Sequence, residues 1–167
     1  MTRKLLIIFI LSLLLTPNSF SAGSSGSSSG GDNSSTKSDY DKAVNLIKFA
    51  KKYEKQSKID KAQKNYKKAN KLLIKYNKKK PNNADTLNYL GFTTRKLGDF
   101  VGGENYYLQG LVIKPDHNGI NEYLGELYVV TNRISLAKER LEILKSCNCA
   151  EYEELKAVIE GTKKSKY

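Results

Sequence analysis

Cys147 and Cys149 flank Asn148, and upstream of them lie His117, Glu122 and Glu126. These are the residues whose types and spacing could do chemistry. Two cysteines this close suit a local disulfide or a pair of thiols in a turn; as reactive groups they would make a redox dithiol or a soft-metal clip. No thioredoxin-type pattern accompanies them, and the nearby sequence supplies neither histidine nor methionine, so they read as structural. His117 stands in the turn Pro115-Asp116-His117-Asn118 and could act as a general base. A residue placed there more simply caps the helix that follows. Glu122 and Glu126 sit one helical turn apart and could pair as acid and base. Without a nucleophile or a glycine-rich phosphate loop they read as solvated acids. The chain is therefore read as a non-enzyme, with no catalytic residue, no metal site and no cofactor.

The elements that must position these residues are helices. Ala84 to Leu97 carries Leu87, Leu90, Gly91, Thr94 and Leu97 on one stripe. Gly98-Asp99 ends it, because glycine readily takes the left-handed conformation after a helix. Phe100 to Ile113 returns with Phe100, Gly103, Tyr107, Gly110 and Leu111 inward, and Pro115 closes the pair. Asn118 to Thr131 and Ile134 to Lys145 form a second pair around a turn at Asn132-Arg133. The two pairs match at a spacing of 34 residues: Tyr89-Leu90-Gly91 recurs as Tyr123-Leu124-Gly125, and Gly103 aligns with Ala137.

This pattern resembles the tetratricopeptide repeat family, in an exported bacterial form. The family asks for a small residue at the eighth place, filled by Gly91 and Gly125, and at the twentieth, filled by Gly103 and Ala137. It asks for a large residue at the twenty-fourth, filled by Tyr107 and Leu141, and for proline at the thirty-second, filled by Pro115. Counting back from Pro115 reaches Pro81, and makes Ala62 to Lys79 the return helix of a first unit. The forward helix, roughly Tyr40 to Gln56, departs from the pattern, since Ser57 falls at the eighth place. Cys149 occupies the third closing-proline position, ahead of a last helix from Ala150 to Glu160. The resemblance implies an all-α, right-handed helical-hairpin solenoid of about three units plus a C-terminal capping helix. The units are expected at about 40–83, 84–117 and 118–149 and the cap at 150–161, within a domain at 39–161 followed by a basic tail at 162–167.

The resemblance also implies a concave groove lined by the forward helices. Its second, fifth, ninth, twelfth and thirteenth places are Asp85, Asn88, Phe92, Arg95 and Lys96, then Gly119, Glu122, Glu126, Val129 and Val130. Phe92 is expected there as an exposed aromatic anchor. Such a surface suits an extended peptide or a helix of a protein partner.

The start of the chain points to export. Thr2-Arg3-Lys4 precedes an apolar run from Leu5 to Leu15 and a small-residue exit at Ser19 and Ser21, so 1–21 reads as a cleaved signal peptide. Residues 22–38 are rich in Gly and Ser and read as a disordered linker. A periplasmic or secreted location follows, and an oxidising compartment favours a Cys147–Cys149 disulfide over two thiols. The formal charge is +12. It is concentrated in 37–80, which holds 16 lysines against Asp39, Asp41, Glu54 and Asp60. The expected function is a protein-binding scaffold of the bacterial envelope. One alternative is a module whose lysine-rich first helices dock on anionic lipid or lipopolysaccharide; the other is a thiol redox protein using Cys147 and Cys149. Nucleic acid is not an expected partner, and no oligomeric state follows from the pattern.

Overall fold

The computed structural model describes residues 37–165. The expected signal peptide, all of the linker before Lys37 and the end of the basic tail lie outside the described residues. Among the described residues there are seven helices and no strand: α1 Asp39–Lys55, α2 Ile59–Lys79, α3 Ala84–Lys96, α4 Phe100–Ile113, α5 Asn118–Val130, α6 Ile134–Leu144 and α7 Ala150–Ile159. They pair as α1–α2, α3–α4 and α5–α6, and α7 follows. None of these helices is long and apolar enough to cross a membrane.

Local chemistry sets the ends. Ser38 and Asp41 form a reciprocal capping box at the start of α1: the Asp41 N–H donates to Ser38 Oγ (3.1 Å) and the Ser38 N–H to Asp41 Oδ2 (3.2 Å). Asn83 accepts from the Thr86 N–H (2.7 Å), and Asp99 from the Gly102 N–H (2.8 Å). Inside each hairpin the turn needs one left-handed residue. Ser57 (φ 57°), Gly98 (φ 94°) and Asn132 (φ 59°) supply it. The departure at Ser57 thus has a plain cause: it is a turn residue and not part of a helix contact. Consequently α2 begins at Ile59, three residues earlier than expected, and runs longer than α4 or α6.

Packing follows the small residues in the middle hairpin. A Cβ on Gly91 would stand 2.6 Å from Tyr107 Cδ1, and one on Gly103 would stand 3.0 Å from the Gly91 carbonyl oxygen. The backbones of α3 and α4 can therefore approach only because both positions lack a side chain. In the first hairpin Ala43, Ile47 and Ala50 of α1 bury against Ala62, Tyr66, Ala69 and Leu73 of α2. Each large apolar side chain so enclosed contributes about 1.5–3 kcal/mol. Leu97 and Phe100 correct two expectations: at the C-terminal cap of α3 and the first position of α4 they are 38% and 43% exposed and do not join the inward stripes.

The last hairpin differs more. A Cβ on Gly125 would meet Leu155 of α7, at 2.7 Å from its Cδ1. The glycine that the repeat pattern assigns to contact within a hairpin here admits α7 instead. Leu155 and Val158 are buried, and α7 lies mainly on α5 and less on α6. Cys147 and Cys149 are joined as a disulfide, with Cα atoms 5.2 Å apart, in the turn that redirects the chain into α7. Asn148 between them takes a left-handed conformation (φ 46°), which asparagine tolerates better than most residues.

Candidate functional site

The inner face of α3 is built around aromatic rings. Phe92 sits between Tyr66 of α2, at 5.7 Å between ring centroids, and Tyr123 of α5, at 5.1 Å. Tyr107 of α4 adjoins Tyr123 at 6.4 Å. Lys51 of α1 closes this row from above. Its Nζ lies 4.5 Å from the Phe92 centroid and donates to Tyr123 Oη at 3.1 Å. Phe92 is consequently 1% exposed, which corrects its expected role as an exposed anchor. The reason is that α1 and α5 both reach over it, with Lys51 and Tyr123.

Arg95 is likewise buried. Its Nη1 donates to the Tyr123 carbonyl oxygen (2.7 Å), and Nη2 lies 3.9 Å from Glu126 Oε2. Burial disfavours the cation and lowers its pKa to about 10, against the favourable pull of Tyr107, Glu126, Tyr123 and Glu122. Burial also raises the hydroxyls of Tyr66, Tyr107 and Tyr123. Lys96 and Tyr66 converge on one carboxylate: Lys96 Nζ lies 2.6 Å from Glu54 Oε1, and Tyr66 Oη donates to Glu54 Oε2 at 2.9 Å.

The structure brings together Phe92, Arg95, Lys96, Glu122 and Glu126 but not as an open lining. Glu122 and Glu126 are buried, which corrects the reading of two solvated acids. α7 packs on this helix with its Leu155 against Gly125, Arg95 of α3 lies against Glu126, and from beyond α7 Ser165 Oγ donates to Glu126 Oε2 at 3.3 Å. Val129 is half-buried against the core of the last hairpin. Asn88 is buried too, with its Nδ2 close to Gly119 of α5. Asp85 lies at the far end of α3, exposed, and its Oδ1 is 3.1 Å from His117 Nε2. His117 Nδ1 accepts from the Ile120 N–H at 3.2 Å, so the imidazole caps α5 and ties it to α3. A proton on Nε2 satisfies both contacts.

What remains open is a cleft of about 440 Å³ lined by Lys51, Glu54 and Lys55 of α1, Phe92 of α3, Glu154 of α7, and Lys163. Lys163 Nζ lies 2.6 Å from Glu154 Oε1. Repeat counting missed the α1 and α7 residues of this cleft. The α1 side departs from the repeat register, and α7 lies beyond the repeats. The visible signal was Gly125, whose missing side chain leaves room on α5.

Stacked antiparallel helical hairpins with close glycine contacts define the class: the chain has a tetratricopeptide-like helical-repeat fold. No family model matches it, and no curated protein matches it. Solved structures similar to it include the first tetratricopeptide domain of Spaghetti (RPAP3) bound to an HSP90 peptide. That domain is 21% identical over 75% of this chain and 96% of its own, with a TM-score of 0.47. The CopN-Scc3 complex is also similar, at 17% identity over 80% of each chain and a TM-score of 0.48.

Proposed function

We propose that this chain is a non-catalytic protein-binding scaffold that holds an extended segment of a partner protein in the cleft between α1, α3 and α7. The observation that carries the reading is the make-up of the cleft. Lys51, Lys55 and Lys163 stand beside Glu54 and Glu154 over an aromatic floor at Phe92. Cations and carboxylates within one small concavity, above a buried aromatic floor, can pair with both the backbone and the charged side chains of a peptide. The helices beneath are locked by buried contacts, so little affinity is lost to ordering the receptor. We place this role in the bacterial envelope, in the periplasm or outside the cell, on the strength of the signal-like residues 1–21.

Photocrosslinking in the native compartment tests the cleft. Lys55 is exposed at its edge, and Lys138 on α6 is an exposed control outside it. A photoreactive residue at Lys55 should yield one defined protein adduct that is absent when it is placed at Lys138, and Lys51→Glu should weaken that adduct. Equal capture at both positions, or none at Lys55, would refute the cleft. N-terminal sequencing of the protein from fractionated cells tests the location, and an intact Met1 in the cytoplasmic fraction would overturn it.

A further inference from the structure

The outer sides of α2 and α4 carry two stripes that the cleft does not use. On α2, Lys64, Lys67, Lys71 and Lys78 are all exposed and recur at helical spacing on one face. Lys75 on the same helix is held by Asp39 at 3.0 Å. On α4, Val101, Leu108 and Val112 recur at i, i+7 and i+11 on one face, and Val101 and Val112 are 79% and 85% exposed. Two valines so fully open on one helix are unusual, since a single surface aliphatic needs no reason but an aligned set does. The two helices line common troughs on this side without packing on each other. Asn70 and Ile74 of α2 face Gly102, Asn105, Tyr106 and Gln109 of α4 across a shallow trough, and Asn77 faces Gln109, Val112 and Ile113 further along. The acids nearby are few. Asp60 lies in the first turn of α2, Asp99 is occupied as the α4 cap, and Glu104 is clamped by Arg133 at 2.7 Å and 2.8 Å.

We propose that this face docks on an anionic lipid bilayer, with the α2 lysines on the headgroups and Val101, Leu108 and Val112 at the boundary of the acyl chains. A neutral apolar stripe beside a lysine stripe is the combination that holds a helix in the plane of a bilayer interface. A nucleic acid would be matched by the lysines but would leave the valines without a purpose. The lysines are also the more suitable cation for diffuse headgroup charge, since planar phosphate recognition favours arginine's fixed fork. This inference stands apart from the cleft and does not depend on its occupant.

The chain contains no tryptophan, so Val112→Trp places a single reporter in the stripe of the full chain. With vesicles of phosphatidylcholine and phosphatidylglycerol at low salt its emission should shift to the blue and be quenched by brominated lipid. With phosphatidylcholine alone it should not move. Replacing Lys67, Lys71 and Lys78 together by glutamine should raise the lipid concentration at half-shift by roughly 100-fold. Val101→Trp repeats the test should position 112 prove intolerant, and far-UV circular dichroism verifies the fold of each variant. No blue shift with anionic vesicles overturns the proposal. So does an equal shift with neutral vesicles, an unmoved midpoint in the lysine variant, or the same shift on adding heparin instead of lipid.

Discussion

Gly91→Ala should destabilise the chain, although alanine is the better helix former. The added carbon would lie 2.6 Å from Tyr107 Cδ1 and 2.8 Å from Cζ. Carbon atoms pack at about 3.5–4.0 Å, so the ring or the helix must yield by close to an ångström. Neither yields easily. Tyr107 is wholly buried, and the α3–α4 approach is already at its limit where Gly103 faces the Gly91 carbonyl. Overpacking of this kind costs about 1–3 kcal/mol, and the gain in helix propensity offsets about 1 kcal/mol. The strained site belongs in the upper part of that range, which leaves a net loss of about 1–2 kcal/mol and a fall in Tm of roughly 4–8 °C. Urea denaturation followed by far-UV circular dichroism measures it. The companion variant Tyr107→Leu removes the offending ring, so the two substitutions should couple by about 1 kcal/mol or more in a double-mutant cycle. A neutral or stabilising Gly91→Ala, or costs that simply add, would refute the reasoning.

Three further outcomes are expected. Phe92→Ala should cost about 3–5 kcal/mol in a denaturation curve, whereas the same change at an exposed ring would stay within about 0.5 kcal/mol. Stability should fall steeply above pH 10. Tyr66, Tyr107 and Tyr123 have raised folded pKa values, so their contribution is present below the unfolded tyrosine value and lost as pH climbs through the folded ones. Each contributes a slope of about 1.4 kcal/mol per pH unit. Arg95, lowered to about 10, works in the opposite sense with one proton. The tyrosinate absorbance assigned to these three rings, by difference against the Tyr66→Phe, Tyr107→Phe and Tyr123→Phe variants, should appear only together with loss of helix, and its appearance near pH 10 with the helix intact would contradict the reasoning. Reducing Cys147–Cys149 should cost less than about 2 kcal/mol, because the ring is too small to restrict the unfolded chain much. Denaturation with and without reductant gives the value, and a loss above about 4 kcal/mol would contradict the small-ring argument.

The hairpins were legible in the sequence because their determinants are local. Gly98 and Asn132 recur at the interval of the repeat and both take the left-handed turn. The close approach at Gly91 and Gly103 is likewise written in residue size. The open face was less legible. Whether Phe92, Arg95 or Glu126 meets solvent depends on what the neighbouring hairpin and α7 bring over them, and those contacts join residues far apart in the chain. Lys51 reaches Tyr123 across 72 positions, and Ser165 reaches Glu126 across 39. Repeat counting assigns a place within one unit, and the places that α7 covers are set by a helix outside the repeats. The α2–α4 stripes were half visible: the lysines stood out by charge, while the valines acquire meaning only once α4 stands across a trough from α2.

The row of rings from Tyr66 through Phe92 to Tyr123 belongs to three different hairpins. Repeat arrays behave as one-dimensional chains of units, and weak junctions let end units melt before the middle. Here one ring on each hairpin, with Arg95 bonded across to the Tyr123 carbonyl, concentrates coupling at both junctions. The three units should accordingly unfold as one cooperative block. Damage to any one of them would then be felt across the whole array instead of fraying it from an end.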